Sequence, residues 1–256
     1  MEHHRLLDAM ARLARQAGEA IMAVRRAGFA VERKSDQSPV TAADRLAETV
    51  ITEGLLALTP DWPVVAEEAC EASDPPPPAP VFWLVDPLDG TREFAAGRDE
   101  FCACIALVEA GVPLLGVLAE PARGLVHAGG AGIGAWTEDE AGRRTPLRTR
   151  RPPPEGVVVV QSRSRTDEAA VSEHCAGMKL AGVLKLGSAL KFARLAAGEA
   201  DLSPRPRAAM MEWDVAAGQA VLEGAGGAVL DLQGRPLRYG KPGYRQDGFL
   251  AFGTRP

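Results

Sequence analysis

Two aspartates three residues apart, Asp86 and Asp89, stand where an apolar run meets a turn, in the stretch WLVDPLDGTREF over residues 83–94. Desolvating two carboxylates so close together costs several kcal/mol each unless a cation or hydrogen-bond donors compensate. Pro87 fixes the backbone between them, so both side chains and the Leu88 carbonyl can be aimed at one point. Hard oxygen ligands at that density suit Mg2+, which accepts carboxylates, a carbonyl, waters and substrate phosphate. Gly90 has no side chain to block a phosphate, and Thr91 opens the next helix, whose free N–H groups favour an anion. Asp, Pro and Gly are equally the residues of a solvated turn, so this pentapeptide alone leaves the two readings level. Two more acids shift the balance. Glu67 ends the apolar strand at 64–66, and Asp214 opens a helix beside Trp213. Acids at three separate strand or helix ends are the usual construction of a two-metal phosphoryl-transfer site.

The elements that must position these acids follow from periodicity. Leu6, Met10, Leu13, Ala17, Ile21 and Val24 recur at spacings of three and four, which predicts an amphipathic helix over 4–26. Thr41 reads as the N-cap of a second helix, with Asp44 three residues on and Leu46, Val50, Ile51 and Leu55 as its stripe. The acidic, proline-rich segment 70–80 reads as a surface loop. Strands are expected at 81–85, 101–108, 114–119 and 125–128. Gly129, Gly130, Gly132 and Gly134 lack dinucleotide-binding spacing and read as a turn into a further strand. A basic, proline-rich stretch over 143–154 is the best domain boundary. Beyond it, strands at 157–161 and 180–186 alternate with helices from 166 and over 188–197, followed by a helix over 213–223 and strands at 228–232 and 248–252. The expectation is therefore an α/β protein in two halves: 1–150, helices covering an antiparallel sheet and carrying most candidate metal ligands, and 151–256, a layered α/β unit carrying specificity residues and the last ligand.

Composition narrows the function. The chain has 256 residues, 46% hydrophobic and 25% charged, with a formal net charge of −5. An acidic chain with 5% aromatic residues and no basic stripe is a poor nucleic-acid binder. The same charge means that a phosphate substrate must be met by metal ions or a local basic pocket. No apolar run approaches the roughly 20 residues of a membrane span, and no signal-peptide core opens the sequence. The expected compartment is the cytoplasm, with peripheral association at the inner membrane left open. Cys70, Cys102, Cys104 and Cys175 form no CxxC pair and read as reduced structural thiols, Cys102 and Cys104 sharing one face of a strand.

Four segments, PVTAAD (39–44), VVAEE (64–68), WLVDPLDGT (83–91) and EWDVAAG (212–218), resemble in order the signatures of the magnesium-dependent, lithium-sensitive inositol monophosphatase superfamily. The resemblance implies its layered αβαβα sandwich and roles for single residues. Glu67, Asp86 and the Leu88 carbonyl would hold one Mg2+; Asp86, Asp89 and Asp214 would hold a second, with two or three ions per site. Thr91, held by Asp44, would act with Glu67 to orient the attacking water. A covalent phosphoenzyme is not expected, since aspartyl-nucleophile phosphatases typically carry D-x-D and this chain has D-x-x-D. A homodimer is plausible on the same ground.

Substrate choice rests on the second half. The segment 187–204, GSALKFARLAAGEADLSP, followed by Arg205, is similar to the 3'(2'),5'-bisphosphate nucleotidase branch of the superfamily. There the residues matching Ser188, Lys191 and Arg205 contact the nucleotide and its non-reacting phosphate. Inositol monophosphatases usually carry an uncharged residue where Lys191 stands and a glutamate where Arg205 stands. Exchanging a carboxylate for a guanidinium turns a hydroxyl-binding wall into a phosphate-binding one. Leu88, Asp89, Gly90, Thr91 and Asp214 complete the expected substrate contacts. The leading substrate is adenosine 3',5'-bisphosphate or its sulfated form, cleaved to AMP or adenosine 5'-phosphosulfate; the alternative is an inositol or sugar phosphate monoesterase. Gln161, Ser162, Arg163 and Ser164 resemble that branch's S-R-S segment after a strand, and for Arg163 and Arg165 a solvated loop and a substrate contact are equal readings. Trp213 reads as a packing residue. Glu212, where an apolar residue is expected, and Arg207 put the shape of the adenosine pocket in question. A metal-binding regulator without catalysis is disfavoured because every expected ligand and Thr91 are present.

Overall fold

Helix α1 (Glu2–Ala27) buries Leu7, Met10, Ala14, Ala17 and Ile21, and α2 (Ala42–Leu58) buries Ala43, Ala47, Ile51 and Leu55. The structure, a computed structural model, describes residues 2–34, 39–164, 168–206 and 210–254. Of the stripe that periodicity selects in α2, Ile51 and Leu55 are buried, whereas Leu46 is 44% exposed and Ala43 and Ala47 take the buried face. Small alanines let α2 lie close to α1, and this turns Asp44 inward. Thr41 caps α2 as expected, its hydroxyl accepting from Ala43 N while Asp44 accepts from Thr41 N, a complete capping box.

Seven strands form the first sheet in sequential order: β1 (Val64–Ala66), β2 (Val81–Asp89), β3 (Cys102–Glu109), β4 (Val112–Glu120), β5 (Leu125–Gly130), β6 (Gly134–Glu138) and β7 (Arg144–Pro146). β1 and β2 are parallel, and the rest form an antiparallel meander. The glycine cluster is the turn between β5 and β6. Helix α3 (Glu67–Ala72) follows β1 directly, so the proline-rich surface segment begins after Ala72 rather than at Cys70. Tyr244 Oη ties that segment down by donating to the Pro76 carbonyl at 2.9 Å. Helix α4 (Thr91–Ala95) leaves β2.

The second sheet has the order β9-β8-β10-β12-β11, from β8 (Val157–Ser162), β9 (Leu180–Leu186), β10 (Leu202–Arg205), β11 (Ala228–Asp231) and β12 (Phe249–Phe252). β8 pairs in parallel with β9 and β10, and β12 is antiparallel to β10 and β11. Between the sheets lie α6 (Leu190–Ala196) and α7 (Ala216–Gly224); α5 (Glu168–His174) covers the outer face of the second sheet. Strand alternation makes the layers legible: Trp83, Val85, Ile105 and Val117 face α1 and α2, while Phe82, Leu84, Cys104 and Leu118 face α6 and α7. In β8, Val158 and Val160 join the inner core, and Val157 and Val159 pack outward with Val171 of α5. The result is helices, sheet, helices, sheet, helix, the αβαβα sandwich the resemblance implies. Its central core draws on residues from both halves of the chain. Within 143–154, Leu147 N donates to Ala135 O at 2.9 Å, Thr149 N donates to Ala225 O at 3.1 Å, and Arg150 pairs with buried Asp201 at 2.9 Å.

Candidate active site

β2 does not stop at Asp86. It continues to Asp89 through a bulge, with Asp86 opposite Cys104 and Asp89 opposite Cys102, so three steps on β2 match two on β3. A bulge re-aims side chains at the rim of a sheet. Here it carries the Asp86 and Asp89 carboxylates to one place, where Asp214 joins them: one oxygen from each lies within 4.8 Å of the others. Asp214 ends a single 3-10 turn (Glu212–Asp214) before α7, and its Oδ2 accepts Met211 N at 2.8 Å. Asp86 Oδ1 accepts Leu88 N at 3.0 Å, which fixes the intervening peptide. Burial pushes the Asp86 carboxyl well above the usual range, and repulsion from Glu67, Asp89 and Asp214 adds to the shift. The trio of Asp86, Asp89 and Asp214 offers oxygen donors that could hold a hard divalent ion.

Glu67 opens α3 at the end of β1. Its charge reaches Asp86, but its carboxylate is held at 2.8 Å by Lys34 Nζ and lies outside the trio. Lys34 also binds Glu68 at 2.6 Å and Glu71 at 3.1 Å. Burial opposes its charge, yet Glu67 and Glu68 hold the ammonium above its ordinary pKa; burial also pushes Glu68 up to about 7. Thr91 Oγ1 lies 3.1 Å from Asp44 Oδ1 and 2.9 Å from the Leu88 carbonyl, so its single proton can serve one acceptor at a time. Asp44 Oδ2 meanwhile accepts from the backbone N–H and hydroxyl of Thr41, both at 2.8 Å. Burial raises the Asp44 pKa against these hydrogen bonds.

Gly90 is needed for a reason other than phosphate access. Its φ is +96°, and a Cβ there would meet the Glu100 carbonyl at 2.8 Å and Ser188 Cβ at 3.2 Å. That close approach brings the segment around Ser188 against the turn after Asp89. Ser188 is itself left-handed, with φ +55°, and the next N–H, of Ala189, donates to Asp89 Oδ2 in a very short contact. Buried Lys191 donates to the Ser188 carbonyl. Burial and the nearby charge of Arg205 together lower its pKa to about 8, with Asp89 opposing the shift. Arg205 ends β10. Ser188, Lys191 and Arg205 thus gather on the Asp89 side of the acid trio.

Arg163 forms a bidentate pair with Glu100, at 2.7 Å, and donates to the Lys185 carbonyl at 2.7 Å; Glu100 in turn accepts Gly187 N at 2.7 Å. Its guanidinium therefore props the Gly187 turn. Glu212 is fully buried and is satisfied by Gly240 N at 2.7 Å, Lys241 N at 3.1 Å and Lys241 Nζ at 3.2 Å. Trp213 is buried in the central core, as a packing residue. Arg165 and Arg207 lie outside the described residues. All four cysteines are free; Cys102 and Cys104 touch at 3.8 Å beside Asp89. Lys34, Glu48 and Glu100 carried no sequence signal, because each acts on residues distant in the chain.

The inositol monophosphatase family model matches residues 2–248. The 3'(2'),5'-bisphosphate nucleotidase CysQ of Salmonella typhimurium is 44% identical over 238 residues, covering 91% of this chain and 94% of that protein. The protein of the same name from Escherichia coli K12 is 43% identical with the same coverage. Among solved structures, an IMPase from Thermotoga maritima superposes with a TM-score of 0.80 at 27% identity, covering 99% of this chain and 92% of that one. CysQ from Bacteroides thetaiotaomicron gives 0.76 at 30% identity, covering 97% and 98%. With the acid-bearing bulge and the five layers, this agreement over nearly the full length makes the chain a member of the inositol monophosphatase family.

Proposed function

We propose that this chain is a Mg2+-dependent phosphomonoesterase that removes the 3'-phosphate of adenosine 3',5'-bisphosphate, or of its sulfated form, giving AMP or adenosine 5'-phosphosulfate and phosphate. The observation that carries it is the meeting of three carboxylates, Asp86, Asp89 and Asp214, with two buried or half-buried cations, Lys191 and Arg205, across the Gly90–Ser188 contact. Relatives named as bisphosphate nucleotidases at 43–44% identity support this substrate over an inositol phosphate.

Glu67, Asp86, Asp89, Asp214 and the Leu88 carbonyl would hold the ions, two or three per site, which when bound offset phosphoryl charge and acidify water. Asp44 fixes Thr91 Oγ1, and Thr91 with Glu67 orients water in line with the phosphorus–oxygen bond. Lys191 and Arg205 engage the phosphate that does not react, which sets which ester faces the attacking water. Ser188 and the Gly90 turn border the nucleotide. Residues 1–150 on this reading supply most of the metal site and 151–256 the specificity residues with Asp214. No described helix is long and apolar enough to cross a membrane. A cytoplasmic homodimer completes the proposal.

The test is a phosphate-release panel of adenosine 3',5'-bisphosphate, its sulfated form, inositol 1-phosphate and fructose bisphosphate, with and without Mg2+ and Li+. Turnover of the adenosine bisphosphates should exceed that of the others by at least about tenfold, require Mg2+ and fall with Li+. Equal or faster turnover of inositol 1-phosphate would reverse the assignment.

A further inference from the structure

α3 begins without a cap of its own. The residue at its N-cap is Ala66, which offers no side-chain acceptor, and alanine is among the poorest residues at that position. The first N–H groups of a helix must nevertheless find partners when they are half-buried. The partner comes from another helix: Glu48 of α2 accepts Glu68 N at 2.8 Å, and Ala69 N donates to the same carboxylate. These are the second and third N–H groups of α3, the two that an N-cap side chain ordinarily serves. Glu67 is the first residue of that helix.

Glu48 lies one helical turn after Asp44, so both carboxylates leave the same side of α2. Asp44 holds Thr91 and Glu48 holds the first turn of α3. We infer that Glu48 is a positioning residue of the metal site, acting through the backbone of α3 to set where the Glu67 carboxylate stands relative to Asp86. This role rests on the metal reading above. It accounts for how Glu67 can be aimed by a six-residue helix, too short to be stable on its own. Lys34 adds a lateral hold on Glu67, Glu68 and Glu71, but through flexible side chains. Glu48 acts on the backbone.

The test is calorimetric titration of magnesium alone, with nucleotide absent, into wild type, E48A, E48Q and E53Q. Glu53 is an exposed carboxylate on the same helix and controls for loss of charge. E48A should bind Mg2+ roughly tenfold more weakly, as residues supporting metal ligands do. E48Q keeps one acceptor oxygen in place and should recover about half of that loss on a logarithmic scale. E53Q should stay within about twofold of wild type. At saturating Mg2+ the KM for adenosine bisphosphate should be unchanged in E48A while kcat falls. A loss in E48A no larger than in E53Q, or E48Q no better than E48A, would overturn the positioning role. Should E48A fail to fold, a wild-type affinity in E48Q would overturn it equally. A wild-type chain that takes up no magnesium would remove the metal reading and this role with it, whereas magnesium binding indifferent to Glu48 removes only the latter.

Discussion

Replacing Lys191 with methionine should make the protein more stable and a worse enzyme. The ammonium is buried beside Arg205, and its pKa falls from the ordinary 10.5 to about 8. At 1.36 kcal/mol per pH unit, the folded state bears a penalty of about 3 kcal/mol for keeping that charge at neutral pH. Methionine matches the stem in volume and loses the hydrogen bond to the Ser188 carbonyl, a loss of about 1 kcal/mol, leaving a net gain of about 2 kcal/mol. The sign depends on pH in a definite way. Below pH 8 the lysine is charged both folded and unfolded, and the folded state carries the full penalty. Between 8 and 10.5 the folded chain gives up its proton first, so the penalty fades as pH rises. Lys191→Met should therefore unfold at higher urea than wild type at pH 7, with the difference shrinking toward pH 10, both measured in chelator. Activity on adenosine bisphosphate should fall at least about tenfold, chiefly through KM. A variant less stable than wild type at pH 7, or an advantage that does not shrink with pH, would refute the view of Lys191 as a charge buried for binding.

Three further outcomes are expected. Asp89→Asn should abolish turnover and weaken Mg2+ binding by about 100-fold while the circular dichroism spectrum stays native; substantial turnover in saturating Mg2+ would remove Asp89 from the ligands. Arg205→Glu should lower kcat/KM for adenosine bisphosphate about 100-fold and for a simple phosphate monoester less than about fivefold; equal losses would show that Arg205 does not select substrate. Gly90→Ala should lower urea stability by about 2–3 kcal/mol, since the residue is left-handed and its new Cβ meets backbone at 2.8 Å. An unperturbed unfolding curve for that variant would mean the turn can relax away from Ser188.

The strands and helices were legible wherever a local rule governs them. Short apolar runs found β2 to β5, the three-and-four spacing found α1, and the S/T-x-x-D/E pattern at Thr41 and Asp44 found the start of α2. The α2 stripe was right at Ile51 and Leu55 and wrong at Leu46, because large residues outweigh alanines in a periodicity reading, yet Ala43 and Ala47 are the residues that let α1 approach. The bulge at Asp86–Asp89 was read as the end of a strand, since Pro87 breaks the ladder locally and only the pairing with Cys104 and Cys102 shows that the strand resumes. α3 was hidden because its N-terminal support, Glu48, lies 20 residues earlier. The same holds for Glu100, which is 87 residues from the Gly187 N–H it accepts and 63 from the guanidinium that braces it. Site residues on turns announced themselves by type; the residues that hold those turns did not.

The charge distribution ties these observations together. A chain of net charge −5 that is to take an anion twice over must place cations where the substrate lies without giving the whole surface a basic character. In this fold the acids that would gather metal ions sit on the bulge of the first sheet, and the fixed cations Lys191 and Arg205 sit on α6 and at the end of β10. The Gly90–Ser188 contact and the Asp89–Ala189 hydrogen bond lock the two sets together. Each set is unfavourable alone: Asp86 is crowded by like charges, and Lys191 is driven toward neutrality by burial and Arg205. Their proximity offsets part of the cost at Lys191, because Asp89 favours its charged form. A site built from two mutually dependent, individually destabilising clusters needs rigid support, and α2, Glu100 and Arg163 supply it from the backbone side. That is why the residues that position this site are expected to matter nearly as much as the ones that would touch substrate.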